Sequence, residues 1–326
     1  MKILTINFGG IGDEIFFLPT LISLKKEFPQ AKITLALEPR SRSIKDLTDV
    51  IDDLFLIDIK GKNKYLELLK LIFLARKGNF DMVISSGGNK LISILLFLTG
   101  IKKRYGYNTG KLSEKLLTKA VVLNKNQYAC DMYHDLVSPI TEHKTDLPEI
   151  NVDQQEKLEN TVLVHPGVSK ISLQKGMIKT IDAQTWAETI DLLIENGKNV
   201  ILAGGPDDAE VIEIIRKLAK NNFQDFYGKT RSLKDLAELI GKAEIFICSD
   251  SAPLHIAVAM KTRTYAIFGP TDYNKLIPKS SFVTPILAND TCPIKPCLWD
   301  RRQTTCEKLD CLKITANDIL NQLKGK

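Results

Sequence analysis

Three segments of this chain gather glycines, hydroxyls and charged groups where an apolar run gives way to a helical one. The first is Phe8-Gly9-Gly10-Ile11-Gly12-Asp13-Glu14. Glycines such as Gly10 and Gly12 let a backbone approach a ligand closely. Asp13 stands at the helix start as a candidate general base; a first-turn carboxylate favoured by the helix dipole is the plainer alternative. Glycines at 9, 10 and 12 do not make the G-x-G-x-x-G dinucleotide fingerprint. The second segment is Cys248-Ser249-Asp250-Ser251-Ala252-Pro253-Leu254-His255. Backbone N–H groups at a helix start bind phosphate, Ser251 is placed to cap, and Pro253 suits a first turn. Capping alone, with an exposed His255, is the competing reading. The third is His165-Pro166-Gly167, followed by Lys170, Lys175 and Lys179. A lysine facing a cleft neutralises a diphosphate, although a loop lysine is ordinarily only solvated. Gly204-Gly205-Pro206 and Gly269-Pro270-Thr271-Asp272 end two further apolar runs. So many loops of this kind in one half of the chain point to a ligand site there.

Such loops need a sheet to present them. Short apolar runs at Lys2–Asn7, Lys32–Leu37, Phe55–Ile59, Met82–Ser85 and Val121–Leu123 alternate with helical stretches at Ile15–Glu27 and Tyr65–Arg76. The pattern restarts with Thr161–His165 and continues through Asn199–Ala203, Glu244–Cys248 and Thr264–Phe268. Helices are expected between these runs, over Ala183–Asn196, Asp208–Lys220, Leu233–Leu239 and Pro253–Met260. Strands alternating with helices predict βαβ units and parallel sheets, with ligands beyond the carboxyl ends of the strands. At 326 residues, two domains are expected, 1–150 and 151–326, joined through the polar stretch Glu142–Lys157. Thr315–Leu323 reads as an amphipathic terminal helix, expected to pack back on the N-terminal domain.

The composition is that of a globular protein, 44% hydrophobic and 26% charged, with a net charge of +6. That excess is concentrated: Lys102, Lys103, Arg104, Lys111, Lys115, Lys119 and Lys125 stand against Glu114 alone. The patch suits a phosphorylated substrate or an anionic membrane surface better than nucleic acid, unless it is merely a solvated face. The opening Met1-Lys2 leads into a short apolar run and a glycine turn, unlike a secretory leader. The longest apolar run, Leu91–Leu98, falls short of the ~20 residues that span a bilayer. The reading is therefore a cytoplasmic protein, with any membrane contact peripheral, on the inner face.

Taken in order, these segments resemble the ADP-heptose:lipopolysaccharide heptosyltransferases and their relatives, glycosyltransferase family 9. Gly10-Ile11-Gly12-Asp13 with Pro19 matches the family's opening G-x-G-D pattern, and Arg104-Tyr105-Gly106-Tyr107 its R-x-G-[FY] segment. His165-Pro166-Gly167, Lys179 ahead of Trp186, Asp250-Ser251-Ala252-Pro253-Leu254-His255 and Phe268-Gly269-Pro270-Thr271 follow in the family's sequence. Two positions depart from it: Ala252 replaces a glycine, and no Trp-Pro pair follows Lys179 directly.

The resemblance implies a GT-B fold, two Rossmann-like domains facing each other across a cleft. It also implies an inverting, metal-independent transfer of heptose or a similar sugar, from ADP-heptose to a lipopolysaccharide-core or other cell-surface glycan. In that reading Asp13 is the base. Lys179, Asp250, Ser251, Ala252, His255, Thr271, Gly167 and Gly205 bind the donor, and Gly10, Gly12, Lys102 and Arg104 lie on the acceptor side. The partners are a nucleotide-sugar donor and a glycan or glycolipid acceptor, and no cofactor is needed for catalysis. A non-catalytic nucleotide-sugar-binding protein, or an epimerase or hydrolase of the same fold, remains the alternative. Cys292, Cys297, Cys306 and Cys311 crowd near the C-terminus, where four thiols could hold a structural Zn or Fe, or stay as thiols or disulfides.

Overall fold

The computed structural model describes residues 1–289, 291–298 and 306–324. The chain divides into two compact units, Met1–Asn151 and Val152–Lys326. The first unit runs β1 (Lys2–Ile6), α1 (Ile11–Glu27), β2 (Lys32–Leu37), β3 (Asp53–Leu56), α2 (Lys64–Gly78), β4 (Met82–Ser85), α3 (Leu91–Leu98), β5 (Lys103–Tyr107), α4 (Lys111–Leu116), β6 (Lys119–Val121) and α5 (Ala129–His134). Its six strands lie in the order β3-β2-β1-β4-β5-β6, all parallel.

The second unit runs β7 (Leu158–His165), α6 (Lys170–Gln174), α7 (Ala183–Glu195), β8 (Asn199–Leu202), α8 (Ala209–Leu218), β9 (Gln224–Asp225), α9 (Leu233–Lys242), β10 (Ala243–Ser249), α10 (Ala252–Ala259), β11 (Arg263–Phe268), α11 (Tyr273–Leu276), β12 (Val283–Leu287) and α12 (Ala316–Lys324). Its order, β12-β11-β10-β7-β8-β9, is again all parallel. Numbered within each unit, both sheets read 3-2-1-4-5-6, the doubly wound Rossmann order.

Strands covered by helices on both faces must be apolar along their length rather than alternating. The inner strands obey: Ile3, Leu4, Thr5 and Ile6 of β1 are all buried, as are Ile245, Phe246, Ile247 and Cys248 of β10. In the first unit, Leu4, Ile6, Val83, Leu71 and Leu96 pack into one core cluster. Phe17 of α1 meets Tyr133 of α5 edge-on, ring centroids 5.7 Å apart.

Three strands escape the apolar-run signal, among them β9, which is only the polar pair Gln224–Asp225. β5 is KRYGY, whose charges and glycine read as a basic segment. β12 is VTPIL, and its Pro285, which cannot donate a ladder hydrogen bond, is tolerated because β12 is an edge strand.

Helix α12 packs on α7 of its own unit. Ile319 and Leu320 are buried in the same core cluster as Trp186 and Ile190. Ile319→Ala should therefore destabilise the second unit by about 2–4 kcal/mol, the usual cost of emptying a buried aliphatic site. The check is urea unfolding followed by the fluorescence of buried Trp186, with the transition moving to lower denaturant.

Candidate active site

Because each sheet is parallel, all its carboxyl ends share one edge. Asn7 to Asp13 follow β1 at that edge of the first unit, and α1 begins there. Asp13 sits in the first turn of α1, half-buried, and one oxygen, Oδ2, accepts the Gly10 N–H at 2.8 Å. The other oxygen, Oδ1, accepts the hydroxyl of Tyr133 at 3.3 Å. Burial, then the charge of Asp13, pushes the Tyr133 phenol well above its ordinary range, so it keeps its proton and donates. The Asn7 amide donates to the Asp13 carbonyl at 3.2 Å, pinning the turn from below.

Glu14, the next residue, is 1% exposed. Burial first, and the Asp13 charge second, raise its carboxyl well above the usual range. The Asn7 side-chain amide, which donates to the Asp13 carbonyl, opposes that rise.

Gly9 and Gly10 make room for the Asp13 carboxylate. A Cβ on Gly9 would fall 2.1 Å from the Asp13 Cβ. The Gly10 N–H is already spent on Asp13, and Gly12 lies within the first turn of α1.

Lys102 and Arg104 are not at this edge. Register pairs Lys103 with Met82 and Met82 with Ile3, so Lys102 sits level with the amino end of β1. Arg104 is also committed: its Nε donates to the Leu116 carbonyl and its Nη1 to the Ile101 carbonyl, both at 2.6 Å, and its guanidinium lies over the Phe97 ring. Arg104 thus pins α3 and α4 to β5. Sequence placed both residues with the acceptor; the parallel register sets them at the opposite edge.

In the second unit the carboxyl edge brings Asp250, Lys179 and Thr271 together. Asp250, 2% exposed, accepts Lys179 Nζ at 3.1 Å and the Thr271 hydroxyl at 2.8 Å, both on Oδ2. His255 is buried rather than exposed. Burial, opposed by the Asp250 charge, lowers its pKa to about 4, so it is a neutral imidazole at physiological pH. Ser251 occupies the N-cap position of α10, but its hydroxyl does not cap; it leans 3.4 Å from the Ser249 carbonyl. Ala252 is the first residue of that helix and is half-buried.

Beneath this edge lies a hydroxyl network that sequence did not single out. The Thr180 hydroxyl donates to the Pro166 carbonyl at 2.8 Å and accepts the Trp186 indole N–H at 3.0 Å. Ser249 Oγ lies 2.8 Å from Thr180 Oγ1 and 2.9 Å from the Pro166 carbonyl. Trp186, completely buried, thereby fixes the residue next to Lys179, and the His165-Pro166-Gly167 turn with it. The only signal available was adjacency, since Thr180 and Ser249 neighbour the two charged residues already suspected.

Gly205 and Gly167 act on Asp208. The Gly205 N–H donates to Asp208 Oδ2 at 2.8 Å, and a Cβ on Gly167 would meet Asp208 Oδ1 at 1.9 Å. His165 Nε2 stands 3.7 Å from the same carboxylate. The two do not make an ion pair at neutral pH. Burial lowers the His165 pKa to about 4 and raises the Asp208 pKa to about 6. Asp208 repeats the geometry of Asp13, a carboxylate three residues beyond a glycine N–H, but it is closed off from solvent.

The four C-terminal cysteines, Cys292, Cys297, Cys306 and Cys311, all border one cavity of about 610 Å³ that also touches Pro270 and Ile178. Among the described residues no three His, Cys, Asp or Glu side chains converge closely enough to hold an ion. The backbone N–H groups of Cys297 and Leu298 instead donate to the Pro270 carbonyl at 2.9 and 3.2 Å, bracing the turn that carries Thr271.

An acid whose pKa rises on folding stabilises the fold while protonated, and that contribution fades as pH rises from about 4 through about 6. Asp208→Asn should accordingly melt like the parent near pH 4 and become the more stable protein above pH 6, by about 1–2 kcal/mol. Thermal melts across that range test this; parallel curves at every pH would mean that Asp208 is not strained by its burial.

Known proteins share this architecture. A solved glycosyl transferase family 9 structure from Veillonella parvula superposes with a TM-score of 0.76 at 19% identity, covering 99% of this chain and 96% of that one. The E. coli ADP-heptose lps heptosyltransferase II gives 0.73 at 20% identity, over 100% and 98%. These likenesses show the fold, two parallel six-stranded α/β units of the GT-B class. In sequence, lipopolysaccharide heptosyltransferase 3 of Escherichia coli K12 is 28% identical over 284 residues, 80% of each chain. The family model for glycosyltransferase family 9 (heptosyltransferase) matches residues 69–305. A match over that much of the chain settles membership: the protein belongs to glycosyltransferase family 9 and is a sugar-transferring enzyme.

Proposed function

We propose that the enzyme moves heptose, or a closely similar sugar, from ADP-heptose to a hydroxyl of a lipopolysaccharide-core or related cell-surface glycan, with inversion and without a metal in the chemistry. The names of its relatives favour heptose and lipopolysaccharide. The observation that carries the mechanism is the state of Asp13. Its carboxylate is oriented by Gly10 and Tyr133 yet half-exposed at the carboxyl edge of its sheet, where a bound hydroxyl can reach it.

In this reading Asp13 takes the proton as the acceptor oxygen attacks the anomeric carbon from the face opposite the diphosphate. The bond from that carbon to the phosphate oxygen breaks, and ADP leaves with the electron pair. The work left to the protein is positioning, proton removal and stabilisation of negative charge on the departing diphosphate. Lys179 and the amino end of α10 supply the last of these. Asp250, buried and bonded to Lys179 and Thr271, holds the lysine in place until the donor's phosphates compete for it. Neutral His255, Ser251 and Ala252 border the same turn. Gly167 and Gly205 contribute indirectly, by fixing Asp208 and the turn above it.

Asp13→Asn keeps the size and the Gly10 contact but cannot accept a proton. Its kcat for sugar transfer should fall about a hundredfold or more, while nucleotide-sugar binding measured by calorimetry stays unchanged. Full activity in this variant would remove Asp13 from the mechanism, and lost binding would show that its role is structural.

A further inference from the structure

An unexplained apolar surface lies on the first unit. Along α2, Tyr65, Leu69 and Phe73 recur every four residues and so form one stripe. They are 80%, 61% and 64% exposed. Leu91 and Phe97 of α3 continue the patch at 66% and 50%. The helices adjoin, because Arg76 Nε of α2 donates to the Leu98 carbonyl of α3 at 3.0 Å. Singly exposed apolar residues are commonplace, whereas a contiguous set on neighbouring helices marks an interaction surface.

Its charge says what it meets. From Lys60 to Lys125 the chain carries twelve lysines and two arginines against Glu67, Asp81 and Glu114. The whole chain has a net charge of +6, so the remainder is net acidic and the positive field belongs to this segment alone. Lys62, Lys64, Lys70 and Lys77 flank the α2 stripe, and Lys90 precedes Leu91. Aromatic and leucine side chains bordered by lysines suit the boundary between acyl chains and anionic headgroups, where apolar burial and surface potential add. A soluble anionic sugar would use the lysines and leave the leucines and phenylalanines unexplained.

We propose that this face of α2 and α3 docks the enzyme on an anionic lipid surface. The placement fits the site already described. Helix α2 starts at the carboxyl edge of the sheet, and Lys60 just before it donates to the Phe8 carbonyl at 3.2 Å, beside the Asp13 turn. A bilayer held against α2 and α3 thus lies alongside the edge that carries Asp13. If the transfer reading above is correct, that edge receives the glycan of a lipid-anchored acceptor. The docking itself requires neither Asp13 nor any donor.

The test is vesicle flotation of the purified full-length protein without substrate, using phosphatidylglycerol mixed with phosphatidylethanolamine and, in parallel, phosphatidylcholine alone. The protein should float with the anionic vesicles only, and 1 M salt, which shortens the Debye length to about 3 Å, should weaken the association. The variant Leu69→Ser with Phe73→Ser removes exposed side chains, so its melting temperature should match the parent. Its partitioning should drop by about one to two orders of magnitude. Failure of the parent to float with anionic vesicles overturns the proposal, as does undiminished flotation of the variant. Sedimentation of both proteins covers the competing occupant: a parent dimer that the variant dissolves, without vesicle binding, would assign the face to a second copy of the chain. None of these outcomes depends on transferase activity, so they leave the proposed reaction standing or falling on the Asp13 variant.

Discussion

Parallel pairing is the constraint from which the site follows. In a parallel sheet every strand delivers its carboxyl end to the same edge, and loops leaving that edge meet one another however far apart they lie in sequence. That is how Lys179, Asp250 and Thr271, separated by up to 92 positions, come to share one carboxylate oxygen. The same constraint removes residues. Lys102 and Arg104 precede or open β5, so register carries them to the amino edge whatever their charge suggests. The positive field they belong to is then free to be a property of a face rather than of the Asp13 turn.

The two capped carboxylates show how one local geometry yields different chemistry. Asp13 and Asp208 each take a glycine N–H three residues back at 2.8 Å, the ordinary way to satisfy a donor at a helix start. Asp208 is then pressed against Gly167 and His165 and loses water, which raises its pKa to about 6. Asp13 keeps one side open, under the Tyr133 hydroxyl. Burial, not sequence motif, separates the two carboxylates. The plainer alternative of a first-turn cap is part of the answer: one Asp13 oxygen accepts the Gly10 N–H and the other the Tyr133 hydroxyl.

Support for the carboxyl edge of the second unit comes from below. Trp186 spends its indole N–H on Thr180, Thr180 holds the Pro166 carbonyl, and Ser249 closes the network. Each of these groups is buried or half-buried, where an unpaired hydroxyl or indole would be costly, so the network holds the lysine turn and the His165-Pro166-Gly167 turn in one arrangement. The cysteine-rich segment braces the opposite turn through backbone hydrogen bonds to Pro270. Its four thiols border one cavity.

Alternation of apolar runs with helical periodicity was enough to fix two α/β units and to place their division near residue 151, because buried parallel strands are written as continuous apolar runs. The order of motifs was enough to name the family. Strands β5 and β12 were hidden, since charges, a glycine and Pro285 erase that signal near a sheet's margin. Tertiary structure alone decided which edge each charged residue occupies, which carboxylate is sealed, that α12 packs on α7, and that α2 leaves an apolar stripe facing outward. Those outcomes depend on register, burial and the fit of one surface to another, quantities that exist only once distant segments have been brought together.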